Sequence, residues 1–108
     1  MLLKAGSYAS SANRSYYAVL TAGRAVLALR GMDAETQEGV KVVLSRDFIK
    51  TGLLSRECGE TFRSLEARRM DSDYGDYIEI GEEEARDSLS RARTFVADVE
   101  RLIDEIQQ

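Results

Sequence analysis

Residues 7–30 read SYASSANRSYYAVLTAGRAVLALR, and this stretch decides the fold. Alanine and leucine are frequent, proline is absent, and the one internal glycine is Gly23. Ala9, Ala12, Tyr16, Val19, Gly23 and Val26 recur at helical spacing, and Leu20 and Leu27 widen the stripe. The sequence predicts one helix from Ser7 to Arg30, roughly 36 Å long at the usual rise per residue. Ala12, Ala22, Gly23 and Ala25 are small, so neighbouring helices can come close. Asn13, Arg14 and Arg24 are polar groups on an otherwise apolar helix, and buried polar groups need partners. Tyr16 and Tyr17 are adjacent and point about 100° apart. The spacing predicts one ring in the core and the other lining a groove.

Outward from this helix, Leu2, Leu3 and Ala5 look like the last turn of a preceding helix. Gly6 suits its end and Ser7 the N-cap of the next. The first helix of the bundle is therefore expected to be short or truncated, and the residues leave both alternatives open. Gly31 ends the long helix. Thr36 is expected to cap a short amphipathic helix carrying Val40, Val43, Leu44 and Phe48 inward, with Lys41, Arg46 and Asp47 outside; Gly52 closes it. Ser55 is the next N-cap, and Glu57 and Glu60 fall early in the helix, where its dipole favours acid. Cys58, Phe62 and Leu65 face inward, and Arg63, Arg68 and Arg69 lie toward the end near Met70. Asp71 to Tyr77 is rich in turn formers. Gly81-Glu82-Glu83-Glu84 opens the last helix, whose Ala85, Leu89, Ala92, Val96, Val99, Ile103 and Ile106 follow a heptad seam flanked by Phe95 and Leu102. A second apolar stripe beside the seam suits a dimer interface. No strand period extends beyond Tyr77 to Ile80. The fold class is all-α, an antiparallel up-down helical bundle.

The chain has 108 residues, one domain spanning 1–108, and a net charge of −4. That charge argues against a broad nucleic-acid surface but leaves room for a local basic pocket. No apolar run suits a bilayer, and Met1-Leu2-Leu3-Lys4 lacks the form of a signal peptide. The single cysteine, Cys58, lies on an apolar stripe and reads as a buried thiol in a reducing cytoplasm. The absence of histidine removes Ser-His-Asp and Cys-His catalysis, imidazole metal sites and the usual general base. No cofactor and no metal site is expected. Asp71, Asp73 and Glu82 fall at calcium-loop positions, but Gly75 and Asp76 reverse the order such a loop needs, so a solvated turn is the better reading. The glutamates at 82–84 read as dipole compensation.

Two readings compete for Arg69 and Asp73. One is an ion pair at a helix end, which contributes little when exposed. The other places Arg69 beside Arg14 and Asn13 in a small anion-binding cleft, with Tyr17 and Tyr74 offering rings and hydroxyls. The planar fork of arginine suits phosphate because it binds two oxygens at once.

Asn13-Arg14-Ser15-Tyr16-Tyr17-Ala18, with Gly31 ending its helix, resembles the second helix of HEPN domains. Phe48-Ile49-Lys50-Thr51-Gly52-Leu53-Leu54 is similar to the family's middle segment. Arg69 through Asp73-Tyr74-Gly75-Asp76-Tyr77, then Glu82-Glu83-Glu84-Ala85, resembles its closing loop and last helix. The resemblance implies a helical bundle, often a homodimer, commonly encoded beside a minimal nucleotidyltransferase in a toxin–antitoxin-like module. Active members are metal-independent ribonucleases with arginine, four to six residues, then histidine. Here Arg68 or Arg69 matches the arginine, but Asp73 and Tyr74 stand where the histidine is expected. Aspartate is a poor acid and neutral tyrosine a weak base near pH 7. The cleft read from the residues and the resemblance together lead to the expectation of a protein that binds nucleotide or RNA phosphate through Asn13, Arg14, Tyr17 and Arg69 and partners a nucleotidyltransferase, without robust catalysis. The alternatives are a ribonuclease toxin using Arg69 with Asp73 or Tyr74, and a purely structural dimerisation module.

Overall fold

The computed structural model describes residues 2–73 and 80–107, with side chains described over 7–69 and 80–107. Among the described residues there are four α-helices and no strand: α1 (Leu2–Leu29), α2 (Gln37–Leu44), α3 (Arg56–Asp73) and α4 (Glu82–Gln107). The weak strand period at 77–79 lies outside the described residues. None of the described helices is long and apolar enough to cross a membrane.

The long helix forms as its spacing predicts, with Ala12, Tyr16, Val19, Leu20, Val26 and Leu27 all buried. It does not begin at Ser7. The helix is unbroken from Leu2, so Gly6 is not a helix end and Ser7 is not a cap. A glycine inside a helix costs only about 1 kcal/mol relative to alanine, and Leu2, Leu3, Lys4 and Ala5 before it are good helix formers. Gly31 does end the helix, at φ 69°. The Gly31 amide donates to the Ala28 carbonyl and the Met32 amide to the Leu27 carbonyl, both at 3.0 Å. That pair of bonds is the Schellman closure, and it needs a left-handed residue that glycine supplies without strain.

Residues 30–36 return alongside α1, and Thr36 caps α2 by accepting from the Gly39 amide at 2.9 Å. This return departs from strict alternation of direction. Gln37 meets Tyr16, Val40 and Leu44 lie beside Gly23, and Arg30 stacks on Phe48, so α2 runs alongside α1 in the same sense. A Cβ at Gly23 would sit 2.9 Å from Leu44 Cδ1, which shows how closely the two helices approach. The end of α2 widens into a π-helical turn, Ser45–Ile49. Gly52, at φ 81°, lets the chain reverse into α3. α3 is antiparallel to α4: Cys58 lies by Asp98, and Arg68 by Asp87.

On α4 the buried stripe is Ala85, Ser88, Ala92, Phe95, Val99 and Leu102. Phe95 and Leu102, expected on the flank, are core. Leu89 and Ile106, expected in the seam, are exposed, and Val96 and Ile103 are half-buried. Two apolar heptad stripes lie side by side on this helix, and Ser88 obscures the true one because it is polar. Its burial is compensated by Arg68, whose Nη1 donates to Ser88 Oγ and to Asp87 Oδ2 at 2.9 Å each. Arg91 adds a second bond to Asp87 at 2.9 Å. Desolvation pushes the Asp87 carboxyl up, but the two arginines outweigh it and hold its pKa below the usual value.

Two outcomes follow from this packing. The depressed Asp87 pKa stabilises the fold at neutral pH, and that contribution is lost as pH falls through the native pKa, below about pH 4. Asp87→Asn should cost about 1 kcal/mol at pH 7, a figure discounted because the carboxylate is 44% exposed. Thermal melts should show the gap between variant and parent closing below about pH 4. Separately, burial raises the Cys58 thiol, while a bond from Ser55 lowers it and the neighbouring Asp98 raises it further. A thiol reagent at about pH 8 should leave native Cys58 unmodified and label it in concentrated guanidinium.

Candidate functional site

The adjacent pair Tyr16 and Tyr17 of α1 divides as its adjacency predicts. Tyr16 is fully buried, Tyr17 is 43% exposed, and their rings meet edge to face at 5.5 Å. Tyr16 is held by Phe62 of α3, with ring centroids 5.9 Å apart, and its hydroxyl donates to Gln37 Oε1 at 3.0 Å. Burial raises the Tyr16 pKa, and the nearby Glu66 charge adds to the rise. The phenol therefore stays protonated and acts as a structural donor.

Arg69 arrives from the last turns of α3 and lies over this pair. Its guanidinium carbon is 5.7 Å from the Tyr16 centroid and 5.6 Å from that of Tyr17. Its Nη2 donates to the Tyr17 hydroxyl at 3.0 Å. The contacts with both rings and the bond to the Tyr17 hydroxyl together hold the guanidinium in place. Arg68, the neighbouring candidate, turns to the opposite side, where Asp87, Ser88 and the Glu84 carbonyl hold it against α4. One arginine of the pair locks α3 to α4, and the other faces the tyrosines. Sequence reasoning did not separate these roles. It also missed Tyr16 as a stacking surface, although the Tyr16-Tyr17 doublet was the available signal.

Asn13 is half-buried and Arg14 exposed, one turn before Tyr17 on α1. Arg14 and Tyr17 share the lining of an open groove between α1 and α4, together with Ala18, Thr21, Val96 and Ile103. Tyr17 thus stands between the two arginines: its hydroxyl meets Arg69, and its side chain borders the groove that Arg14 enters. Among the described residues Arg14 makes no ion pair. Asp73 closes α3 and Tyr74 follows it. The side chain of Asp73, the whole of Tyr74 and the acidic turn weighed as a calcium loop lie outside the described residues.

The groove consists of two adjoining concavities of about 500 and 550 Å³. Small residues of α1 form one wall. The Leu89, Val96 and Ile103 stripe of α4 forms the other, with Arg93 and Glu100 at its edges. Chemically, the arrangement offers oriented cationic donors beside aromatic faces, and an apolar trough next to them. With no histidine in the chain, no imidazole stands by to carry a proton.

The family model for the HEPN domain matches residues 1–102. A UPF0332 protein of Thermotoga maritima is 32% identical over 108 residues, covering 100% of this chain and 82% of that protein. Another UPF0332 protein, from Archaeoglobus fulgidus, is 28% identical over 100 residues, covering 93% of this chain and 79% of that protein. A protein of Methanocaldococcus jannaschii named "Putative toxin MJ0142" is 29% identical over 89 residues, covering 82% of this chain and 60% of that protein. No solved structure matches the chain. The order of the matched segments, the all-α bundle and a family match over nearly its whole length agree: the chain belongs to the HEPN domain family.

Proposed function

We propose that this protein is a toxin-like HEPN protein that binds nucleotide or RNA phosphate at Arg69 and Arg14, and that it acts with a nucleotidyltransferase partner without robust cleavage of its own. The observation that carries the reading is Arg69 held against the rings of Tyr16 and Tyr17 and bonded to the Tyr17 hydroxyl. A guanidinium held this way is ordered before a phosphate reaches it, so less ordering is lost on binding. Tyr17 adds a half-exposed ring on which a base can stack. Asn13 supplies a neutral amide beside it. The relative named as a toxin supports the biological side of the reading. The missing histidine supports binding over cleavage, because general acid catalysis near pH 7 has no suited group.

Binding of a fluorescent single-stranded RNA and of a nucleotide, with cleavage read on the same samples, tests this. Arg69→Ala should weaken binding roughly tenfold, and Arg69→Lys should restore little, because a point charge lacks the planar fork. Tyr17→Phe should leave ring stacking intact and cost a smaller factor. Cleavage that disappears in Arg69→Ala would replace this reading with a histidine-free ribonuclease.

The partner of the α1–α4 groove is, in this reading, a second copy of the chain. Leu89, Val96 and Ile103 repeat every seven residues and are left partly uncovered within one protomer. Charge on this face is self-complementary. Two antiparallel α4 helices crossing between Val96 and Ala97 bring Arg93 against the partner's Glu100, twice about the dyad, and Leu89 near the partner's Ile103. Sedimentation should show a dimer. Arg93→Glu should weaken it, and adding Glu100→Arg should restore it; a monomer in the parent chain would remove this part of the reading.

A further inference from the structure

A different face carries a second cluster of cations. Lys41 and Ser45 from α2 and its π-turn, Arg46, Lys50 and Arg63 of α3 line one open concavity of about 380 Å³, with Val42 at its edge. This is unexpected in a chain of net charge −4. The cations differ in how far they are already neutralised. Lys41 is shared between Glu38 at 3.0 Å and Glu66 at 2.9 Å. Arg46 is engaged by both oxygens of Asp47, at 3.0 and 2.9 Å. Among the described residues no carboxylate lies within ion-pairing distance of Lys50 or Arg63. The concavity therefore carries two positive charges without an ion-pair partner among the described residues, one from the π-turn's end and one from α3.

The π-turn is what assembles it. In an α-helix Lys50 would project roughly 140° away from Ser45. Here the Lys50 amide bonds back to the Ser45 carbonyl at 2.9 Å, the five-residue closure of a π-turn. That wider turn reduces the offset to about 50° and swings Lys50 onto the face of Ser45 and Arg46. Such local widening costs hydrogen-bond geometry and occurs frequently at functional sites. On α3, Arg63 extends past Gly59, where a Cβ would stand 3.8 Å from its Nη1 and 3.1 Å from Ile49 Cδ1. The tight neighbour there is Ile49, so the glycine lets the π-turn pack closely against α3.

We propose that this concavity is a second phosphate site, taking phosphate oxyanions on Lys50 and Arg63 with Ser45 Oγ as a neutral donor. It is separate from the Arg69 cleft and does not rest on it. Two cations without an ion-pair partner, facing one concavity, raise the local potential and draw an anion there in a chain whose net charge is −4. Lys50 and Arg63 can each meet a different oxygen of one phosphate or neighbouring phosphates of a strand.

The test uses the whole chain with two probes, inorganic pyrophosphate by calorimetry and a single-stranded oligouridine by fluorescence anisotropy across a salt series. Lys50→Glu with Arg63→Glu is compared with Arg69→Ala and with Arg86→Gln, an exposed arginine elsewhere on the surface. Equal melting temperatures establish that each variant folds. The double variant should bind oligouridine about tenfold more weakly and lower the salt slope by about 1.4, two phosphate contacts on a single strand. Pyrophosphate binding lost in the double variant identifies a site that also takes free phosphate. Loss confined to oligouridine identifies a backbone contact. Parental affinity and slope for both probes in the folded double variant would overturn the proposal. Failure of Arg69→Ala alone to weaken binding would instead count against the first site and leave this one standing.

Discussion

The Tyr16 ring, wholly excluded from solvent, is the contact through which packing and site are coupled. It meets Phe62 edge to face, and Phe62 in turn meets Phe95, so one aromatic row joins α1, α3 and α4. Its hydroxyl fixes the start of α2 through Gln37, and its outer face carries Arg69. An aromatic side chain of this size dominates local burial, and edge-to-face pairs add stability beyond the area they remove from water. Moving Tyr16 would therefore displace three helices and the guanidinium together. The site is not set upon a finished scaffold. Its geometry is one surface of the core.

Polar burial elsewhere in the molecule serves specificity of register. Arg68, Asp87, Ser88 and Arg91 form a connected group between α3 and α4, and each buried polar atom needs the others. Rotating α4 by one residue, about 100°, would leave Ser88 unsatisfied and bring the Leu89–Val96–Ile103 stripe into the core. Hydrophobicity alone discriminates poorly between those two stripes, since both are apolar and both repeat every seven residues. The penalty for an orphaned arginine or carboxylate does discriminate. The same choice leaves the second stripe outward, where it makes the α1–α4 groove.

Glycine spacing shows how little of the chain is neutral to this arrangement. Gly23 permits the close approach of α2, Gly31 and Gly52 take left-handed conformations at the two reversals, and Gly59 lets Ile49 of the π-turn pack closely against α3. Gly6, by contrast, lies inside a helix that simply continues through it. A glycine in isolation is thus an ambiguous signal. Its meaning depends on whether neighbouring segments can keep the helix hydrogen-bonded.

Much of this protein was legible in its residues alone. The period of α1, the Thr36 cap, the stops at Gly31 and Gly52, and the division of Tyr16 and Tyr17 between core and surface are local matters, governed by helix geometry and backbone sterics. The family was legible too, in the order of its segments, and the residues pointed to the meeting of Arg69 with Tyr17. Tertiary structure decided what local rules leave degenerate. Choosing between two apolar stripes on α4 requires knowing which neighbour Arg68 reaches. Telling Arg68 from Arg69 requires the azimuth of α3 against α1 and α4. Lys50 joins Ser45 and Arg46 only because the chain widens into a π-turn, which no local spacing announces. These outcomes depend on contacts between segments far apart in sequence, where the cost of an unsatisfied buried group, rather than propensity, makes the choice.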